Sequence, residues 1–360
     1  MTSKIKNNTE KPTSGIRAIA EELGISIATV DRALHDRGRI SEKTRARVLQ
    51  VAEQLNYHPN RAARDLRLNR RFRVSINFPT GIPPFFDALR SGIEEGALPF
   101  SSTLDIEFHS YSLPYDHARN SIQSALDASV DGIIAVPPNT FQMAELVRKA
   151  NMKGIPIVCI STDVPESGRL TAITAYPFNC GAMAAEALFS HMNKRGSVGV
   201  LTGNLEYLNH AEKVRGFRTM LSQLSPAFSV AAVIEAHDDP HEAYQGVRRL
   251  LQSTPKMAGL YISTANSISA LTALREAGRL DSVAVVTTDL IPELVPYLRE
   301  GIVKATIYQC PETQGSLAIR TLYWYLSEGM RPLHFIGVIP QLIIRSNLDL
   351  YISTNKYIAR

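Results

Sequence analysis

The chain has 360 residues, 44% of them hydrophobic, which is enough for more than one buried core, so two or three domains are expected. Charge is uneven: up to Arg73 there are sixteen Lys and Arg against eight Asp and Glu, net +8, and the rest of the chain carries about −3 of the total +5. This points either to a polyanion partner for that end or to a solvated basic tail, while the absence of any run of roughly 20 apolar residues argues against a membrane span. Residues 1–14 are polar, read as a disordered tail and lack the apolar segment of a signal peptide. Three scattered cysteines, Cys159, Cys180 and Cys310, have no metal-ligand spacing and are too few for a disulfide framework. Reduced thiols in a cytoplasmic protein, with no cofactor and no metal, are expected.

From Ile16 to about Tyr57 the pattern is three short helices. Ala20, Gly24 and Val30 have helix-turn-helix spacing: Ala20 lets a second helix approach, and Gly24 sits where the turn needs a positive φ. Ile19, Leu23, Ile25, Val30 and Leu34 form the apolar seam. A third helix follows Ser41, with Val48, Leu49, Ala52 and Leu55 expected on its buried face. Ser26 is a natural N-cap of the second helix, whose start enters a major groove in this geometry. Ser26, Ile27, Ala28 and Thr29 are therefore the candidate groove residues, with Arg32 one turn on able to reach a guanine edge or a phosphate. Arg39, Thr44 and Arg45 are candidate phosphate contacts. A three-helix module that binds another protein is the alternative.

Ile16–Leu68 resembles the headpiece of the LacI/GalR family of transcription regulators. The resemblance is carried by Ile19-Ala20, Leu23-Gly24-Ile25-Ser26, Ala28-Thr29-Val30, Arg32-Ala33-Leu34, Ile40-Ser41, Thr44-Arg45, Val48, Ala52, Leu55-Asn56-Tyr57, Pro59-Asn60, Ala62-Ala63 and Leu66. It implies a DNA-binding domain over 15–58 and a hinge helix with its linker over 59–72. Asn60, Ala63 and Leu66 would meet the minor groove, with Leu66 as the wedge between base pairs. Asp31 stands where the family usually has Ser, so the operator sequence does not carry over.

After Arg73 short apolar strands alternate with amphipathic helices. Strands are expected at Val74–Phe78, Leu104–Phe108, Gly132–Val136, Ile157–Ile160, Val198–Leu201, Val230–Glu235, Gly259–Ile262, Val283–Thr287 and Ala305–Tyr308. This is an α/β pattern of parallel sheets covered by helices, with too many strands for one sheet of usual size, so two doubly wound lobes with a cleft between them are expected. The body, 73–350, resembles the type I periplasmic sugar-binding fold. On that resemblance the lobes are roughly 73–174 with 306–335, and 175–305 with 336–350. Ligands in such folds lie near the carboxyl ends of strands.

Phe85 and Phe86 follow the first strand, either as sugar-facing rings or as core; Pro83 replaces the Asn of related binders. Ser161, Thr162 and Asp163 end another strand, Asp163 being either a ligand residue or a turn residue. Lys213 occupies the family's ligand-arginine position in Lys213-Val214-Arg215-Gly216-Phe217, and Arg215 competes with it. His241 aligns with a position that is often aromatic, or is a surface histidine. Ser263 and Asn266 replace an Asn-Asp pair, while Asp289 and Gln309, the latter in a Gln-x-Pro run, are the strongest ligand residues. A carboxylate accepts from two adjacent hydroxyls, and an amide both donates and accepts.

No dinucleotide, phosphate-loop, nucleophile-elbow or two-histidine metal motif is present, so no catalytic residue is expected. The expected function is a DNA-binding regulator, a repressor, controlled by a sugar or polyol effector. Its expected partners are operator DNA and a second copy of itself, since no leucine heptads follow Leu350 that would build a tetramer. A carbohydrate-binding protein without a regulatory role and an effector-activated activator are the alternatives.

Overall fold

The computed structural model describes residues 15–34, 40–55, 57, 71–80, 83–111, 116–192, 196–264 and 266–354. They belong to two units, one ending at Leu68 and the other beginning at Asn69. The expected tail 1–14, residues 59–70 of the expected hinge, and Arg39, Asn60, Ala63 and Leu66 lie outside the described residues. Phe72, placed at the end of the linker in the sequence reading, is instead the first residue of a strand.

The first unit holds helices α1 (Ile16–Leu23), α2 (Ile27–Leu34) and α3 (Glu42–Gln54). Gly24 ends α1 in the left-handed region at φ 63°, and its N–H returns to the carbonyls of Ala20 and Glu21. Ile19, Ala20, Val30, Ala33, Val48, Val51 and Ala52 make the core, with Leu23, Ile25, Leu34 and Tyr57 packed at its edge. Leu49 and Leu55 are corrections: both are nearly half exposed, and Val51 is buried instead. Positions 48, 51 and 52 share one helical face, whereas 49 is turned about 100° away from 48 and 55 lies past the last turn.

The second unit contains two six-stranded sheets. The first comprises β1 (Phe72–Pro79), β2 (Leu104–Tyr111), β3 (Gly132–Ala135), β4 (Ile157–Ile160), β5 (Thr171–Thr174) and β11 (Phe335–Gly337), in the order β11-β5-β4-β3-β1-β2. The second comprises β6 (Gly196–Thr202), β7 (Phe228–Glu235), β8 (Met257–Ile262), β9 (Ala284–Thr288), β10 (Val303–Tyr308) and β12 (Gln341–Ile343), in the order β12-β10-β9-β8-β6-β7. All pairs are parallel except β10 with β12. β3, β4, β5 and β9 are buried along their whole length, as parallel strands covered on both faces are. The chain returns later than expected at both crossings. Val303–Tyr308 stays whole in the second sheet, and the first sheet keeps Phe335–Gly337. Among the described residues no helix is long and apolar enough to cross a membrane.

Each lobe has one close helix crossing built on glycine. In the first, a Cβ on Gly92 would lie 2.0 Å from the Glu312 carbonyl oxygen, and one on Gly315 would lie 2.3 Å from that of Leu89. In the second, a Cβ on Gly181 would lie 1.9 Å from the Lys213 carbonyl oxygen, and one on Gly216 would lie 1.9 Å from that of Phe178. The helix Leu208–Leu224 is thereby pressed against Pro177–Phe189, which fixes where Lys213 sits.

Candidate functional site

In the first unit the start of α2 is an exposed edge. The Ser26 hydroxyl caps it, accepting from the Thr29 N–H at 3.1 Å, and lies 2.8 Å from the Thr29 hydroxyl. Ile27 and Ala28 are exposed, Ile27 at 48%, a large apolar side chain left in solvent. Arg32 is exposed and its Nε donates to the Ala28 carbonyl at 3.0 Å, so the guanidinium lies back along the same helix face. Ser41 caps α3 through the Thr44 N–H at 3.1 Å, and the two hydroxyls are 2.8 Å apart. Thr44 and Arg45 are both partly exposed.

In the second unit, strand ends from both sheets meet at a cleft. The first lobe contributes Pro79, Phe85, Phe86, Val136 and Ser161, and the second contributes Tyr207, Asn209, His210, Lys213, Asp238, Thr264, Asp289 and Gln309. Phe85 meets Phe86 edge-on at 5.2 Å, and Phe86 stacks on Phe78 at 5.8 Å. The two rings are therefore core and cleft wall at once, which reconciles both readings of them.

Asp289 and Gln309 face each other as expected. Gln309 Nε2 donates to Asp289 Oδ2 at 2.8 Å and its backbone N–H to Oδ1 at 3.4 Å, while Gln314 Nε2 donates to the Gln309 carbonyl at 2.8 Å. Burial pushes the Asp289 carboxyl up to about 6, against the opposing pull of Lys213. Lys213 is buried and its Nζ donates to the Ser263 carbonyl at 2.9 Å. Burial moves its ammonium down from the usual lysine range, while the charge of Asp289 and, less strongly, Asp238 holds it up. Arg215, the competitor, is exposed, pairs with Glu212 and lies 4.3 Å from the Phe178 ring.

Several expected residues are not at the cleft. His241 is exposed on the first turn of the helix Pro240–Ser253 and does not line it. Asp239 caps that helix by accepting from the Glu242 N–H at 2.8 Å, and the left-handed residues His237 and Asp238 turn the chain so that Asp238 faces inward instead. Thr162 and Asp163 line an adjoining pocket of about 250 Å³, which shares Asn209 with the cleft. The Asp163 carboxylate is held by Arg169, with Nη2 2.6 Å from Oδ2 and Nε on Oδ1. Ser263 meets the site through its carbonyl, and Asn266 precedes the helix Ser267–Glu276 without a side-chain cap hydrogen bond and does not line the cleft.

The residues that sequence reasoning missed are Tyr207, Asn209, His210, Asp238 and Thr264. Asn209 and His210 stand four and three residues before Lys213, on its helical face, a spacing that would have disclosed them had the helix been started at Leu208. His210 Nδ1 lies 3.3 Å from the Thr202 hydroxyl, and burial together with the Lys213 charge pushes its imidazole well below the usual histidine range, so the ring is neutral.

Comparison with known proteins gives two family matches. The model for the periplasmic binding protein domain matches residues 74–329, and the model for bacterial regulatory proteins of the lacI family matches residues 15–60. Catabolite control protein A of Priestia megaterium is 24% identical over 247 residues, 68% of this chain and 72% of its own length. The HTH-type transcriptional repressor PurR of Pasteurella multocida is 21% identical over 336 residues, 92% of this chain and 98% of its own. Two solved structures share the fold of the body. GanP, a glucose-galactose binding protein from Geobacillus stearothermophilus, has a TM-score of 0.72 at 22% identity, over 78% of this chain and 99% of that one. A solute binding protein of Bacillus halodurans with bound myo-inositol has a TM-score of 0.72 at 17% identity, over 80% of this chain and 99% of that one. The helix-turn-helix unit and the two-sheet body thus each find their own match: over its body the chain belongs to the periplasmic-binding-protein domain family, and its first unit matches the lacI family of bacterial regulatory proteins.

Proposed function

We propose that the chain is a homodimeric repressor whose hold on an operator is set by a small sugar or cyclic polyol seated between the two lobes. The observation that carries this is the pairing of Phe85 and Phe86 from one lobe with Lys213, Asp289 and Gln309 from the other across a single cleft. Aromatic faces suit the C–H side of a ring polyol. Carboxylate, amide and ammonium suit its hydroxyls, and a polyol satisfies buried polar groups that are otherwise costly. The proposed ligand set is Phe85, Phe86, Ser161, Asn209, His210, Lys213, Asp238, Thr264, Asp289 and Gln309, with Thr162 at its margin.

On the DNA side, Ser26, Ile27, Ala28, Thr29 and Arg32 enter the major groove, while Thr44 and Arg45 meet phosphate. Two copies related by a two-fold axis read a roughly palindromic site. Ligand binding shifts the balance between arrangements of the lobes, and the shift reaches the DNA through the segment 59–72. The names of the relatives, a repressor and a catabolite control protein, and a fold neighbour with bound myo-inositol support this reading.

The test is selection of bound sequences from random duplexes by the full chain, repeated with a panel of pentoses, hexoses and cyclic polyols. A palindromic site is expected, together with at least one compound that raises the melting temperature and changes operator affinity about ten-fold or more. Equal affinity for all duplexes at every salt concentration, or no response to any polyol, overturns the proposal.

A further inference from the structure

The charges in the cleft narrow the class of ligand. Among the described residues its lining holds two carboxylates, Asp238 and Asp289, against one cation, Lys213, and contains no arginine. His210 adds no charge, because its ring is neutral. Lys213 Nζ donates to the Ser263 carbonyl, and its single charge faces both carboxylates. Asp289 is satisfied by the side chain and backbone of Gln309.

Asp238 is different. Its Oδ1 accepts from the Thr264 hydroxyl at 3.1 Å, and no hydrogen bond from the described residues reaches its Oδ2. Gly203 lets both side chains pack against the backbone there: a Cβ on it would lie only 2.6 Å from His210 Nε2 and 2.8 Å from Asp238 Oδ1. A carboxylate and an imidazole nitrogen thus stand side by side at the cleft wall, with Asp238 Oδ2 left to face a ligand. A half-buried carboxylate with one oxygen unpaired is stabilised most by a cationic donor, since charge-assisted hydrogen bonds are about twice as strong as neutral ones. A phosphate or carboxylate on the ligand would add negative charge where the lining already has an excess of it that the single Lys213 does not offset.

We infer that the ligand is a polyol bearing a primary amine, an amino sugar or aminocyclitol, and that the cleft turns away phosphorylated and carboxylated sugars. Asp238 receives the ammonium through Oδ2, and Asp289 and Gln309 take ring hydroxyls. This rests on the reading of the cleft as a polyol site.

Calorimetric titration of the full chain against matched sets tests it. For glucose, galactose, mannose and inositol, each set comprises the parent, its amines at different ring positions, its phosphate and, for the hexoses, its uronate. In the series that binds, the best amine is expected to bind at least about ten-fold tighter than its parent, and the phosphate and uronate at least about ten-fold weaker. Asp238→Asn is expected to bring the amine-to-parent ratio to about one. A phosphate or uronate bound as tightly as its parent, or amines bound no tighter, overturns the inference while leaving the polyol reading standing. Binding by no member of any set removes the polyol reading and this inference with it. Should Asp238→Asn fail to fold, the ratios measured on the unaltered chain decide.

Discussion

Gly216→Ala tests whether the packing of the second lobe sets the position of Lys213. The added Cβ would fall 1.9 Å from the Phe178 carbonyl oxygen, 2.8 Å from its carbonyl carbon and 3.1 Å from its Cα. Contacts under 3.0 Å do not occur for real Cβ atoms, so the helices Leu208–Leu224 and Pro177–Phe189 must part by about 1 Å. Both sides of the clash are backbone, so no rotamer change can relieve it. Overpacking costs about 1–3 kcal/mol, and the upper end applies to a rigid clash. Alanine's better helix propensity offsets about 1 kcal/mol. The net loss is about 2 kcal/mol, which for a unit this size lowers the melting temperature by roughly 4–8 °C. Because the Lys213 carbonyl abuts Gly181 across the same crossing, the separation also shifts Lys213 from Ser263, and affinity for the cleft ligand should fall. Urea and thermal unfolding measure the first effect and calorimetry the second, with the exposed Gln223→Ala on the same helix as a control expected to stay within about 0.5 kcal/mol. A Gly216→Ala protein as stable as the parent would refute the argument, since the crossing would then have slack.

Asp289 makes stability depend on pH. Its folded pKa is raised to about 6, so the carboxyl favours folding while protonated and that contribution is lost as pH rises through about 6. Between pH 4 and 7.5, Asp289→Asn should lose about 3 kcal/mol less than the parent chain by denaturant titration; equal losses would contradict the assignment. Arg169→Met leaves the Asp163 carboxylate, only 12% exposed, without its partner, and should cost about 3–5 kcal/mol in the same assay. Arg32→Ala should relax base choice at one operator position at a cost of about 1–3 kcal/mol, read by repeating the sequence selection; a uniform loss across all sequences would make Arg32 a phosphate contact instead.

The body was legible as strands because the central strands of its sheets are buried on both faces, so runs such as Ile157–Ile160 and Val198–Leu201 read as continuous apolar segments. β5 went unseen although it is fully buried, because Thr171-Ala172-Ile173-Thr174 is short and half hydroxylic. β11 and β12 have three residues each, too few for a period to show. Asp289, Gln309 and Lys213 were legible because each sits at a recognisable strand end or helix motif. Asp238 was not, because it looks like the tip of an ordinary acidic turn and its inward direction depends on the left-handed backbone at 237 and 238. In the headpiece the turn glycine and the caps were readable residue by residue, whereas the burial of Val51 in place of Leu49 depended on the phase of α3.

The three crossings between the lobes explain how occupancy of the cleft can be felt elsewhere in the body. They follow β5, β10 and β11, and two of them contain a residue in the left-handed region, Tyr176 at φ 47° and Cys310 at φ 52°. At the third, a Cβ on Gly337 would fall 2.0 Å from the Tyr176 ring, and that ring also meets Phe335 edge-on at 5.4 Å. The first and third crossings are therefore packed on each other, and the second begins at the residue after Gln309. A ligand gripped by Gln309 acts directly beside a crossing, while one that also touches Phe85 spans both lobes. Only the difference in its affinity for two lobe arrangements can shift their populations, so a compound held by Asp289 and Gln309 alone would bind without regulating. The tightest ligand and the strongest effector need not be the same molecule, and contact with both Phe85 and Gln309 is what should separate them.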